Sequence, residues 1–323
     1  MKTSQCLLVV SVSIVATVTT SFAGALQVVP APTTAVAKPE VVYNETANAN
    51  EEVAAALVRA TRNNTRVLIQ WGANWCGWCK WLHKSCKEDK KLSRELSYEY
   101  EVVLVDVGRF DKHQDLAAKY GADLKKNGVP FLTVLAADGS VVANQETSSL
   151  EKSPDADPKG HDVAKVLAFF KSHQAPTLNA DEVLDASVAA AKSQGKLVFL
   201  HFGAPWCGYC HRLEDWLAKP EIAVIWSKAF VDVKVDTERM TNGEALLKTH
   251  SLGKNGGIPW CEILDAEGKA LVNSNGPGGN IGFPMQPEEI VWFAEMITKS
   301  GARLSADDVA VLLSSLKVPA KSK

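Results

Sequence analysis

After its first two dozen residues the sequence has no long apolar run. It also lacks a basic stretch with interleaved aromatics and a strong charge of either sign, and it carries no nucleotide- or flavin-binding glycine fingerprint. Each absence excludes something. A formal net charge of −2 provides no general attraction for nucleic acid or an anionic membrane surface. With no later segment approaching the roughly 20 apolar residues of a membrane span, bilayer insertion is not expected after the N-terminus. Without such a fingerprint, chemistry on a bound nucleotide or flavin is not expected. What remains is an ordinary globular mixture, 46% apolar and 22% charged over 323 residues. That is long enough for two cores of roughly 100–150 residues each.

The N-terminus reads as an address label. Lys2 precedes an apolar stretch from Leu7 to Val18, and Ser21-Phe22-Ala23 puts small residues at the −3 and −1 positions of a cleavage site before Gly24. The expectation is a signal peptide over residues 1–23 and a periplasmic or secreted mature protein. Cys6 lies too early to be a lipid-attachment cysteine. Residues 24–46, rich in Pro, Ala, Thr and Val without a period, read as a flexible linker.

Signal removal leaves six cysteines, and four of them form two Cys-x-x-Cys pairs, Cys76/Cys79 and Cys207/Cys210. Such pairs close tiny loops and add little stability, so chemistry explains them better than stapling. The chain is also written twice, at an offset of about 130 residues. Trp71-Gly-Ala-Asn-Trp-Cys-Gly-Trp-Cys79 matches Phe202-Gly-Ala-Pro-Trp-Cys-Gly-Tyr-Cys210, and Gly128-Val-Pro-Phe131 matches Gly257-Ile-Pro-Trp260. The repeats occupy residues 47–175 and 176–301, with a C-terminal helix and tail over 302–323.

Each repeat carries the same order of elements. In the first, a helix is expected over 49–62, a buried strand over 66–73, and a helix from Gly77. A strand over 101–107, a short helix over 116–120, a hairpin over 130–144 and a closing helix over 161–173 follow. The second opens with a capping-box-like Asn179-x-x-Glu182, then strands over 196–203 and 230–236, a hairpin over 259–273 and a helix over 287–299. An extra capped helix is expected over 305–316, and the polar stretch Ser153 to Gly160 reads as an insertion. The fold class is α/β: two tandem domains, each a mixed central sheet flanked by helices.

A lone Cys-x-x-Cys is a weak signal. Here each pair follows a buried strand, opens a helix and precedes an X-Pro at a strand start, and it does so twice. In these features the chain resembles the thioredoxin superfamily over roughly residues 47–301. The resemblance implies that Pro130 and Pro259 follow cis bonds beside the cysteines, with the backbones of Val129 and Ile258 pairing with a substrate strand. Trp75 and Trp206, which precede the pairs, are auxiliary candidates. At a helix N-terminus the thiols of Cys76 and Cys207 meet unpaired N–H groups and the positive end of the dipole, which favours thiolate. These two are therefore expected to attack, and Cys79 and Cys210, one turn further in, to resolve the mixed disulfide. No metal or cofactor is called for beyond the redox-active disulfides.

The chain departs from the family where thioredoxins carry a buried acid, six residues before the nucleophile; here stand Gln70 and His201. His201 is a candidate base or a core histidine, while Gln70 cannot take a proton. Lys234 matches the lysine partner of that acid, whereas the first repeat has Leu104. Gly208-Tyr209 resembles the site of bacterial periplasmic disulfide isomerases. The implied activity is exchange of dithiol and disulfide with exported protein substrates, as reductase or isomerase, recharged by a dithiol partner. The alternative is a client-binding module in which only the second domain is redox-active. Cys86 and Cys261 align with leucines of the sister repeat, Leu217 and Leu132, and are expected to pack as small hydrophobes. Cys207-Gly-Tyr-Cys210-His211 formally fits a haem-attachment pattern, but Lys80 stands in place of His211 in the first repeat. The loop from Gly276 to Pro284 reads either as a partner contact or as a connector.

Overall fold

The computed structural model describes residues 41–254 and 256–316. The segments expected as signal peptide and as linker up to Glu40, and the tail beyond Leu316, lie outside the described residues.

In the first repeat, Val53, Ala56 and Ala60 fall on one buried face of α1 (Ala49–Asn63). Asn48 opens this helix by accepting from the Glu51 N–H, and Asn64 ends it in the left-handed region at φ 49°. The central strand β1 (Arg66–Gly72) is buried from Val67 onward, as expected of a strand covered on both faces. Next come α2 (Gly77–Glu88), α3 (Lys90–Glu99) and β2 (Tyr100–Asp106). The split of this stretch into two helices is a departure from the single helix expected after Gly77. Asp89 creates it by leaving helical geometry and accepting from the N–H groups of Lys91 and Leu92. The short α4 (Gln114–Lys119) and α5 (Leu124–Asn127) precede the hairpin β3 (Phe131–Leu135) and β4 (Val141–Glu146), and α6 (Val163–Ser172) closes the repeat. Sheet order is β2-β1-β3-β4, with β2 parallel and β3 antiparallel to β1.

The second repeat runs α7 (Ala180–Gln194), β5 (Leu197–Gly203), α8 (Gly208–Leu217), α9 (Pro220–Ala229), β6 (Phe230–Asp236), α10 (Gly243–His250), β7 (Trp260–Leu264) and β8 (Ala270–Asn273). Its sheet order, β6-β5-β7-β8, reproduces the first. Asn179 caps α7 through the N–H groups of Asp181 and Glu182. The segment that followed β8 ambiguously in the sequence contains a small hairpin, β9 (Asn275–Gly276) with β10 (Gly279–Asn280). It is tied inward, since Asn280 Nδ2 donates to the carbonyls of Gly257 and Pro259 at 3.0 Å each. After α11 (Pro287–Lys299), helix α12 (Ala306–Leu316) adds Leu312 and Leu316 to the second core, and Trp216 Nε1 donates to Ser315 Oγ at 2.7 Å.

The linker expected to reach residue 46 is already anchored by Val42. Asn74 Oδ1 accepts from the N–H groups of Val42 and Tyr43, and Asn74 Nδ2 donates back to the Tyr43 carbonyl at 2.9 Å. Tyr43 itself is fully buried. The amide side chain makes this clasp possible, and Pro205, the counterpart of Asn74, has none.

The two repeats are joined through charge as well as chain. Arg239 grips both carboxylate oxygens of Glu99 at 2.8 and 3.1 Å and donates to the carbonyls of Asn63 and Asn64 at 2.8 Å. A forked, largely buried guanidinium pair of this kind fixes orientation better than an exposed ion pair.

Candidate active sites

Both cysteine pairs sit where a fully buried strand gives way to a helix. Cys76 and Cys207 are the residues immediately before α2 and α8, in extended backbone geometry. Each sulfur lies 3.1 Å from the N–H of its partner three residues on. The pairs are closed as disulfides, with Cα separations of 5.3 and 5.2 Å. The Val129–Pro130 and Ile258–Pro259 peptide bonds are cis, as is Asp157–Pro158 in the insertion. The Val129 carbonyl oxygen is 3.5 Å from Cys76 Sγ, and that of Ile258 is 3.6 Å from Cys207 Sγ. The sequence-predicted cysteines and X-Pro pairs therefore come together at each site. Trp75, Trp206 and Tyr209 stay exposed around them. Trp75 Nε1 donates to the Gly108 carbonyl within its own domain at 2.6 Å. Trp206 Nε1 instead donates to Glu238, whose other oxygen accepts from Tyr98 Oη of the first domain at 2.9 Å.

Beneath the first pair the floor is neutral. Tyr43 packs against Cys76 and Cys79, and a Cβ on Gly72 would collide with its phenol. The buried Tyr43 hydroxyl and Gln70 side chain face each other there, and burial pushes the phenol pKa upward against the lowering effect of Gln70. On the outer side, His161 stacks edge-on against Trp78, with ring centroids 5.5 Å apart. Both its nitrogens are buried and unpartnered, and burial holds its pKa down at about 4.

Beneath the second pair the floor is charged. Gly203 is the counterpart of Gly72, and a Cβ there would lie 3.2 Å from Cys210 Sγ and 3.9 Å from Glu214 Oε1. Thiol sulfur and carboxylate therefore flank the same small space. Glu214 follows Cys210 by four residues, the spacing that puts two helical side chains on one face. Its Oε1 pairs with Lys234 Nζ at 2.8 Å, and His211 Nδ1 approaches Oε2 at 3.7 Å. Burial alone would raise the Glu214 pKa. The approach of His211 and the Lys234 ammonium outweigh it and hold the carboxyl at about 2.

His201 is buried and turns to Asp232, with Nε2 at 3.4 Å from Oδ2. Lys234 thus has an acid partner as the resemblance suggested, but the acid comes from α8 and not from the β5 position of His201. Sequence reasoning missed Glu214, whose i, i+4 spacing from Cys210 was the available signal. Tyr43 and His161 gave no comparable signal, because long-range packing places both. Cys86 and Cys261 are free and buried, in different domains. Burial pushes the Cys86 thiol up to about 12 and that of Cys261 further, which suits packing and not thiolate chemistry. Among the described residues, no group of three or more His, Cys, Asp or Glu is placed to hold a metal ion. No described helix is long and apolar enough to cross a membrane.

The same duplicated pattern emerges from comparison with known proteins. The sequence model of the thioredoxin-like family matches residues 48–137 and again 179–266. Protein disulfide-isomerase A6 of Mesocricetus auratus is 26% identical over 216 residues, covering 62% of this chain and 43% of that protein. A protein disulfide-isomerase of Ricinus communis is 29% identical over 154 residues, covering 45% of this chain and 29% of that protein. The match thus spans less than half the length of these curated relatives. The crystal structure of a disulphide isomerase from Xylella fastidiosa Temecula1 is 30% identical, with a TM-score of 0.36, covering 41% of this chain and 96% of that one. With the family model matched twice and over more than half of its length, the chain belongs to the thioredoxin-like family.

Proposed function

We propose that the chain is a thiol–disulfide oxidoreductase with two redox centres, acting outside the cytoplasm on protein thiols and disulfides as a reductase or isomerase. One observation carries this reading: each Cys-x-x-Cys has its first sulfur at a helix start, beside an X-Pro carbonyl and within an exposed aromatic rim. In the reducing direction the Cys207 thiolate attacks a substrate disulfide, forming a mixed disulfide and expelling one substrate thiolate. Cys210, having lost its proton, then attacks Cys207 Sγ and expels the second. Two electrons pass to the substrate, the enzyme pair becomes a disulfide, and the two departing thiolates take up the two protons. Cys76 and Cys79 do the same in the first domain. Val129 and Ile258 offer backbone carbonyls to a substrate strand, and Trp75 and Trp206 shape its apolar surroundings.

The disulfide-isomerase names of the relatives and the Gly208-Tyr209 dipeptide support isomerase or reductase work, and the N-terminal pattern supports export. The test is reactivation of scrambled ribonuclease and glutathione-coupled reduction of insulin by the full chain, with Cys76→Ser and Cys207→Ser for comparison. Exchange well above the glutathione background, lowered by either substitution, is expected; exchange indistinguishable from background would sink the reading. Potentials of about −250 mV or below would make the protein a reductant, and about −180 to −120 mV an isomerase or oxidant. The neutral floor of the first centre favours a second reading, in which the first domain mainly holds clients. Under it, Cys76→Ser leaves turnover intact.

A further inference from the structure

The buried charges of the second centre are completed by residues of the first domain. Glu214 Oε1 is taken by Lys234, whereas Oε2 is buried without a hydrogen bond. Two groups face it: His211 Nδ1 at 3.7 Å and, at 3.9 Å, Nε of Arg62 from the last turn of α1, itself buried and without a hydrogen-bond partner. The rest of that guanidinium is fixed: Nη1 donates to the Glu214 carbonyl at 3.0 Å and Nη2 to Asp215 at 3.1 Å. The neighbouring Asn63 Oδ1 accepts from Lys234 Nζ at 2.9 Å. Arg62, Glu214 and Lys234 line one cavity of about 120 Å³, together with His201 and Asp232. Every element packed around the carboxylate thus presents a charged or titratable group: Arg62 from α1, His201 from β5, His211 and Asp215 from α8, and Lys234 and Asp232 from β6. In the first domain His83 stands in place of Glu214, and Leu104 faces Gln70.

A carboxylate flanking Cys210 opposes the thiolates that reduction creates, and a cation on the carboxylate's far side relieves that opposition. In a site shielded from water both effects are felt more strongly than in solvent. From this we infer that Arg62 is a positioning residue of the second redox centre. Supplied by the first domain and backed by Asn63 on Lys234, it acts through Glu214 to set how readily Cys207 and Cys210 are reduced. The inference rests on the second pair being an exchanging dithiol.

The test uses the full chain carrying Cys76→Ser and Cys79→Ser, so that only the second pair titrates. Its equilibrium with glutathione and the pH dependence of its alkylation are measured with and without Arg62→Met. Removing the cation is expected to raise the thiol pKa and to move the equilibrium about tenfold toward the disulfide, a potential about 30 mV lower. Arg62→Lys should recover most of the shift. Arg59→Met, on the same helix as Arg62, breaks an ion pair with Glu101 of β2 and should not move the potential. In a Glu214→Gln background the Arg62 effect should vanish. A shift of less than twofold overturns the inference, as does an undiminished shift without the carboxylate. A second pair that never equilibrates with glutathione overturns the redox function itself and this inference with it, whereas one that equilibrates but ignores Arg62→Met overturns the inference alone.

Discussion

Above Gly72 the space under the first cysteine pair is filled by the phenol of Tyr43. Above Gly203, its counterpart, the same space is shared by Cys210 and Glu214. The order of the four main strands and the helix-capping sulfurs are common to both copies, whereas the polar floor differs. One floor is closed by a neutral side chain from the segment before the domain, the other by an ion pair that a neighbouring domain completes. The duplicated scaffold keeps the position of the reacting sulfurs constant and leaves their electrostatic surroundings free to diverge.

The largest effects test whether that divergence matters to chemistry. Cys76→Ser and Cys207→Ser should each abolish exchange at their own centre. In chains with a single working centre, the mixed disulfide should persist longer at Cys76 than at Cys207, read by trapping with acid and gel mobility; equal lifetimes would erase the functional contrast. Tyr43→Ala should destabilise the first domain by about 3–5 kcal/mol, because it empties a filled site. Tyr43→Phe should cost only about 1 kcal/mol, since it keeps the ring and gives up only the hydroxyl's interaction with Gln70. Urea unfolding of the two variants separates these outcomes.

Acid should separate the domains next. His161 is held neutral by burial, with a pKa of about 4 against an ordinary 6.5. Its folded form therefore resists a proton that the unfolded chain accepts. Stability is intact above about pH 6.5 and falls as pH drops toward 4, by about 3 kcal/mol at most. Glu214, held at about 2 against an ordinary 4.5, contributes stability that is present above about pH 4.5. That contribution is lost as pH falls toward 2, again by about 3 kcal/mol at most. Melting curves across this range should show the first domain weakening at higher pH than the second. His161→Phe should flatten the upper window and Glu214→Gln the lower; a single unchanged window in both variants would refute the assignment. The smallest effect is expected at the unpaired cysteines. Cys86→Ala and Cys261→Ala should cost about 1 kcal/mol each and leave insulin reduction unchanged.

Much of this was legible in the sequence, for identifiable reasons. The apolar run of β1, the capping pattern at Asn179 and the paired Cys-x-x-Cys motifs are local signals, and local signals survive in one dimension. The break between α2 and α3 was also local, written in Asp89 as a cap, but it lay within a stretch that otherwise reads as one helix. Glu214 required both a helical spacing and the knowledge that Lys234 lies across the strand from it. Tyr43 stood in a segment whose composition resembles a linker. Only the clasp by Asn74, some thirty residues away in the chain, makes it part of the domain.

That clasp has a practical consequence for anyone cutting or tagging the protein. A fragment begun at residue 47, where the repeat pattern starts, would omit the side chain that plugs the underside of its own cysteine pair. A tag or cargo placed immediately upstream of Val42 would pull on a residue packed against the cluster of Tyr43, Cys76 and Cys79, so a strain applied there would be felt at the cysteine pair.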